Sequence, residues 1–262
     1  MLMLQNAAPQ LAEAAEQGGI QKFFADLSQS FEKTFITDER WKFFLDGTLA
    51  TLRIAFFAAL LGILLGFLLA AVRSTHDMRL VGRKCRTFSD VILKILNTLC
   101  NLYITVIRGT PAVIQVMIMY FIIFANSRNK EVAAVLSFGI NSGAYVVEIV
   151  RSGIMSIDKG QFEASRSLGF DYKSTMFHII LPQAFKNILP ALGNEFIVLI
   201  KETSVAAYVG ISELTYVGNL VRSRTYEAFF PLIADALIYL AIVLILSFLL
   251  KKLERRLRNS DH

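Results

Sequence analysis

The sequence predicts an all-α membrane protein of about five transmembrane helices, with a short helix-turn-helix projecting from one membrane face. Three observations carry that prediction. The chain of 262 residues is 55% hydrophobic with a mean hydropathy of +0.52, more apolar than a soluble core of this size requires. Residues 54–72 carry no charge between Arg53 and Arg73, and residues 229–250 carry only Asp235 before Lys251 and Lys252. The basic residues are unevenly distributed between the loops that join such segments.

A helix rises about 1.5 Å per residue, so about 20 residues cross a hydrocarbon layer of roughly 30 Å. Residues 54–72 meet that length, and Gly62 and Gly66 offer a small-xxx-small face for close helix contact. Residues 91–124 are apolar but interrupted by Lys94, Arg108 and Pro111. They read as one long helix kinked by the proline, which lacks a backbone donor. Two short spans joined near residues 108–111 are the alternative. Residues 132–150, with Asn141 and Glu148, and residues 185–200, with Lys186, Asn194 and Glu195, supply two further helices. Residues 229–250 complete the five.

Before the first span, residues 1–46 hold seven acids and only four basic residues. Their first 20 residues carry Glu13 and Glu16, no Lys or Arg and no long apolar core, so no secretory signal is expected. Phe23, Phe24, Leu27, Phe31 and Phe35 have helical spacing. An amphipathic helix on the outer surface and a solvated helix packed on the first span fit equally well. The expected organisation is an extracytoplasmic segment 1–46, a transmembrane domain 47–252 and a basic tail 253–262.

Loop charge sets the orientation. Arg73, Arg79, Arg83, Lys84 and Arg86 follow the first span, and Arg151, Lys159, Arg166, Lys173 and Lys186 occupy the 151–186 loop. Lys251, Lys252, Arg255, Arg256 and Arg258 close the chain. The opposite side keeps Lys22, Lys33, Arg40, Lys42, Arg128 and Lys130. Positive loops stay in the cytoplasm, so the N-terminus is expected outside and the C-terminus inside, as an odd number of spans requires. The net charge of +6 is then a topology signal, with no nucleic-acid motif attached. Cys85 and Cys100 are too few for a disulfide framework. His76, His178 and His262 are too scattered for a metal site.

The loop 156–182 is the most informative stretch. Asp158 can cap a first short helix, with Gln161 three residues on. Gly169 can end it in the left-handed conformation, and Asp171 can cap a second. That second helix is expected to stop near Leu181, before Pro182. Phe162, Leu168, Phe170 and Phe177 mixed with charge make the element a docking surface for another protein.

Glu163-Ala164-Ser165, three residues, Gly169, nine residues, Ile179, one residue and Leu181-Pro182 resemble the EAA loop of ABC-importer permeases, E-A-A-x3-G-x9-I-x-L-P. Ser165 replaces the second alanine. More of the chain is similar to the polar amino-acid branch of that family: Ala144-Tyr145, Glu148, Arg151, Gly153-Ile154, Arg108-Gly109-Thr110-Pro111, Gly193-Asn194 and Lys201-Glu202-Thr203-Ser204. The resemblance covers about residues 47–252.

It implies a multi-pass permease subunit of the bacterial cytoplasmic membrane that is not itself an enzyme. A second permease copy or paralogue, an extracytoplasmic amino-acid-binding protein and a cytoplasmic ABC ATPase dimer would be its partners. The chain has no G-x4-G-K-[ST] loop, so ATP and magnesium would sit on the ATPase, with no cofactor here. Glu163, Ala164, Ser165, Gly169, Ile179, Leu181 and Pro182 would dock that ATPase. For the solute, Arg108 would meet the carboxylate, and Glu202 with Thr203 and Ser204 the amine or side chain, Thr110 and Asn141 standing nearby. Internal salt bridges of Arg108 with Glu148 or Glu202 are the alternative reading. An ABC permease for another small solute, an ion-coupled transporter and a membrane enzyme are the competing classes. The last two lack an internal repeat and a nucleophile or metal cluster, respectively.

Overall fold

A computed structural model describes residues 21, 22, 24–80, 82, 87–127 and 129–258. The described residues are helical apart from short connections. Phe23, Val81, Arg83, Lys84, Cys85, Arg86 and Arg128, together with residues 1–20 and 259–262, lie outside them.

The helices in chain order are α1 Trp41–Leu80, α2 Phe88–Gly109, α3 Ala112–Ile118, α4 Lys130–Met155, α5 Lys159–Ser167, α6 Tyr172–Thr175, α7 Leu181–Glu202, α8 Leu214–Thr225 and α9 Phe229–Arg258. Among the described residues α1, α2, α4 and α9 are long and apolar enough to cross a membrane. The 22-residue α7 matches α2 in length but carries four charged residues to the three of α2, while Ala112–Ile123 is a shorter apolar helix.

The bundle is organised around α1 and α4. Ala50, Ile54, Ala58, Gly62, Gly66, Ala70 and Ser74 recur every fourth residue along α1, and all are buried. Such an i+4 ridge of small side chains lets a second helix approach closely. A Cβ added at Gly62 would lie 3.1 Å from Ser142 Cβ, and one at Gly66 would fall on the Val146 side chain. From the other partner, a Cβ at Gly139 would come within 2.6 Å of Leu61. Glycine is therefore required on both sides of this seam.

The apolar run read over 91–124 is two helices rather than one kinked helix. Thr110 (φ −117°, ψ 143°) and Pro111 (φ −63°, ψ 135°) are both extended between α2 and α3. Proline disfavours the helical conformation in the residue before it and cannot donate to the preceding turn. The second loop helix does not stop at Leu181 either. It runs from α6 through a π-turn, Met176–Ile180, into α7, where Pro182 occupies the first turn. Proline is tolerated there because a first-turn N–H has no intrahelical partner.

The described part of the N-terminal segment, around Ser30 and Phe35, packs against the bundle. Phe35 contacts Phe44 and Phe230, and Ser30 donates to Glu227 at 3.0 Å. The segment thus leans on the starts of α1 and α9, and the expected boundary at 46/47 falls inside α1. Below it, Glu213 is fully buried and caps α8, accepting from the N–H groups of Thr215 (2.9 Å) and Tyr216 (2.7 Å) and from the Tyr239 hydroxyl (2.9 Å).

Candidate functional site

Two features stand out, at different levels of the bundle. The first is the segment between α4 and α7. Asp158 accepts from Gly160 N–H at 2.6 Å, and Asp171 accepts from Ser174 N–H at 2.8 Å, so both short helices are capped as their sequences predict. Hydrogen bonds from Ser174 hold the Asp171 carboxyl below the usual carboxylate range. Gly169 has φ +84°, with Gly169 N–H donating to Arg166 O (3.0 Å) and Phe170 N–H to Ser165 O (3.1 Å). That pair of bonds is a Schellman closure, which needs the left-handed residue.

Within the segment, burial sorts the motif residues. Glu163, Ala164, Gly169 and Pro182 are exposed, while Ser165 is buried and its hydroxyl bonds Gln161 O. A small side chain at 165 is therefore what the packing demands. Ile179 and Leu181 join Phe162 and Tyr172 against the core that holds Ile154, Ile180 and Ala184. Arg79, near the end of α1, stacks over the Tyr172 ring at 4.8 Å. Leu168 (77% exposed) and Phe177 (68%) face outward from the same segment.

The second feature is a cavity of about 620 Å³ lined by Arg108, Tyr145, Glu148, Ser152, Asn187 and Glu195, among others. The Arg108 guanidinium lies over the Tyr145 ring, 5.0 Å from its centroid, a cation–π geometry. Glu148 is committed elsewhere: Arg73 Nη1 reaches it at 2.7 Å and Arg151 at 3.6 Å, while Arg151 Nε also bonds Asp77 at 2.6 Å. Glu195 accepts from the Ser142 hydroxyl at 2.8 Å. Among the described residues neither Arg108 nor Glu195 forms an ion pair, so neither salt bridge considered for Arg108 exists.

Of the six residues expected to meet a solute, Arg108 alone lines this cavity. Asn141 is buried and donates to Gln115 Oε1 at 2.9 Å, and Thr110 donates to Val106 O at 2.9 Å. The Thr203 and Ser204 hydroxyls each bond their own helix, to Ile200 O and Lys201 O. Glu202 is half-buried, seven residues beyond Glu195. Sequence reasoning missed Gln115 and Asn187. Glutamine in an apolar run was the available signal for the first, since a buried amide must find partners.

A multi-pass bundle with a projecting capped turn and a polar cavity between its helices defines a membrane-spanning transport subunit. The comparisons make this specific. Residues 90–259 match the family described as "Binding-protein-dependent transport system inner membrane component", and the chain belongs to that family. It is 39% identical over 222 residues to the arginine transport system permease protein ArtQ of Bacillus subtilis, covering 84% of this chain and 94% of that one. It is 42% identical over 177 residues to the glutamine transport system permease protein GlnP of Escherichia coli K12, covering 66% and 80%. A crystal structure titled as an amino acid ABC transporter with histidines superposes with a TM-score of 0.73 at 38% identity, covering 85% of this chain and 98% of that one. As a member of this family the chain is a multi-pass permease subunit of the cytoplasmic membrane, and the ATPase is a separate subunit.

Proposed function

We propose that the chain carries polar amino acids inward as the permease of an ATP-driven importer, with two copies, or one copy and a paralogue, enclosing the pathway. The observation that carries the solute reading is Arg108 and Glu195 on one cavity, each without an ion-pair partner among the described residues. A zwitterion needs a cation for its carboxylate and an anion for its amine, and here both are held ready. Asn187 and Ser152 on the same wall suit a polar side chain. The names of the relatives, glutamine and arginine permeases, support an amino acid as cargo.

Energy would enter through the segment 156–182. Its exposed Leu168 and Phe177 need cover that water does not give, and Glu163, exposed in the same segment, offers a charge-assisted contact to an ATPase cleft. The basic residues at the end of α1, in this segment and at the end of α9 support a cytoplasmic position for it under the positive-inside rule, which would leave the N-terminal segment outside facing the solute-binding protein. Closure of a paired ATPase would move two such segments and rock the bundles between inward and outward opening.

The test is uptake by vesicles reconstituted with the ATPase and binding protein. Losing a charge-assisted contact costs about 1.5–3 kcal/mol, so Arg108→Leu and Glu195→Gln should each raise the KM for uptake about tenfold or more. Unchanged KM and unchanged solute-stimulated ATP hydrolysis in both would end this reading of the cavity. Glu163→Lys should release the ATPase during gentle purification, and retention at full affinity would refute the docking assignment.

A further inference from the structure

We propose that Gln115 is the positioning residue for Arg108: its carboxamide clasps the break between α2 and α3 and pins it to α4. The inference rests on the solute reading of Arg108 given above.

Pro111 has no N–H, so the carbonyl four residues earlier, Ile107 O, loses its helical donor. Gln115 Nε2 supplies one at 2.7 Å. The same nitrogen reaches Thr110 Oγ1 at 2.7 Å and Thr110 O at 3.1 Å, so its second proton closes on the first residue of the break itself. Thr110 Oγ1, accepting from Gln115, in turn donates to Val106 O, the next carbonyl left over at the end of α2. Two extended residues inside an apolar run would otherwise leave backbone acceptors bare, which lipid does not allow.

The acceptor end of Gln115 fixes the break in space. Gln115 Oε1 receives Asn141 Nδ2 from α4 at 2.9 Å. One turn further along α4, Tyr145 carries the Arg108 guanidinium on its ring, and residues four apart share a helix face. Asn141 and Tyr145 therefore hold the two sides of one joint. Arg108 stands two residues before the break, and its place over the cavity follows from where the clasp puts the end of α2.

Two variants and two readouts test this. Gln115→Leu removes both ends of the amide. Gln115→Glu keeps an acceptor for Asn141 and removes the donors to Ile107 and Thr110. In detergent-solubilised transporter, both should raise hydrogen–deuterium exchange over residues 104–112 relative to wild type, with α9 unchanged. This arm needs no solute. In reconstituted vesicles, with L-glutamine and L-arginine as probes, both should raise KM for uptake about tenfold while maximal uptake stays within about twofold. Because Gln115 acts through Arg108, Gln115→Leu combined with Arg108→Leu should be no worse than Arg108→Leu alone. Unchanged exchange in Gln115→Leu, wild-type behaviour of Gln115→Glu, or KM penalties that multiply in the double variant would each overturn the proposal. An Arg108→Leu variant with wild-type KM would instead overturn the solute reading and the positioning role together, while raised exchange in the Gln115 variants would show that the clasp itself exists.

Discussion

Replacing Gly169 by alanine isolates a single backbone conformation. Gly169 sits at φ +84° with nothing within 4 Å of an added Cβ, so the substitution meets no steric neighbour. The penalty is conformational. A left-handed L-residue costs about 1–2 kcal/mol, a factor of roughly 5–30 in the population of the closed turn. The two hydrogen bonds lost on opening are those of Gly169 to Arg166 and Phe170 to Ser165. Gly169→Ala should weaken ATPase binding about 5–30-fold, and Gly169→Asn less, because asparagine tolerates that region. Affinity is read by titrating detergent-solubilised permease with the isolated ATPase, and turn opening by amide exchange over 165–171. The thermal unfolding of the bundle should not move, since the turn lies outside its packed core. Equal affinities for glycine and alanine, or asparagine no better than alanine, would refute the argument.

Further outcomes follow from other contacts. Tyr239→Phe removes one donor from the buried Glu213 carboxyl and should cost about 1–3 kcal/mol of stability, read as a lowered unfolding temperature in detergent. Gly66→Leu drives a side chain into Val146; overpacking costs typically about 1–3 kcal/mol, and a variant as stable as wild type would show the seam to be loose. The Asp171 cap has a folded pKa below its ordinary value of 3.8. Its stabilisation is complete above that value and drains away as pH falls through the lowered one. Amide protection at Ser174 should therefore fade only below about pH 4, and Asp171→Asn should abolish that pH dependence.

The charge-free run 54–72 and the capped turn 158–171 were legible because each depends on neighbours in sequence: hydropathy in one, Asp, Gly and helix spacing in the other. Most of what was not legible depended on distant partners. Pro111 announces a disturbance, yet whether it bends or breaks the helix is decided by Gln115 and by Asn141, 26 residues further on. Glu148 and Arg108 look like a pair in the sequence. Arg73, 75 residues before Glu148, takes the carboxylate instead, and Tyr145 takes the guanidinium. Glu202, Thr203 and Ser204 read as solute ligands because an intramembrane carboxylate with two hydroxyls suits an amine or polar side chain. The hydroxyls of Thr203 and Ser204 turn back on their own helix carbonyls at its end, a local bond that competes with any ligand.

The meshing of α1 with α4 has a mechanical meaning. Leu61 lies against Gly139 and Val146 against Gly66, so each helix is notched where the other bulges, as a key is cut to its lock. Neither can slip by a residue or roll about its axis without steel meeting steel. In the proposed swing the pair would move as one spar, with the change taken up around it, at jointed places such as the gap between α2 and α3.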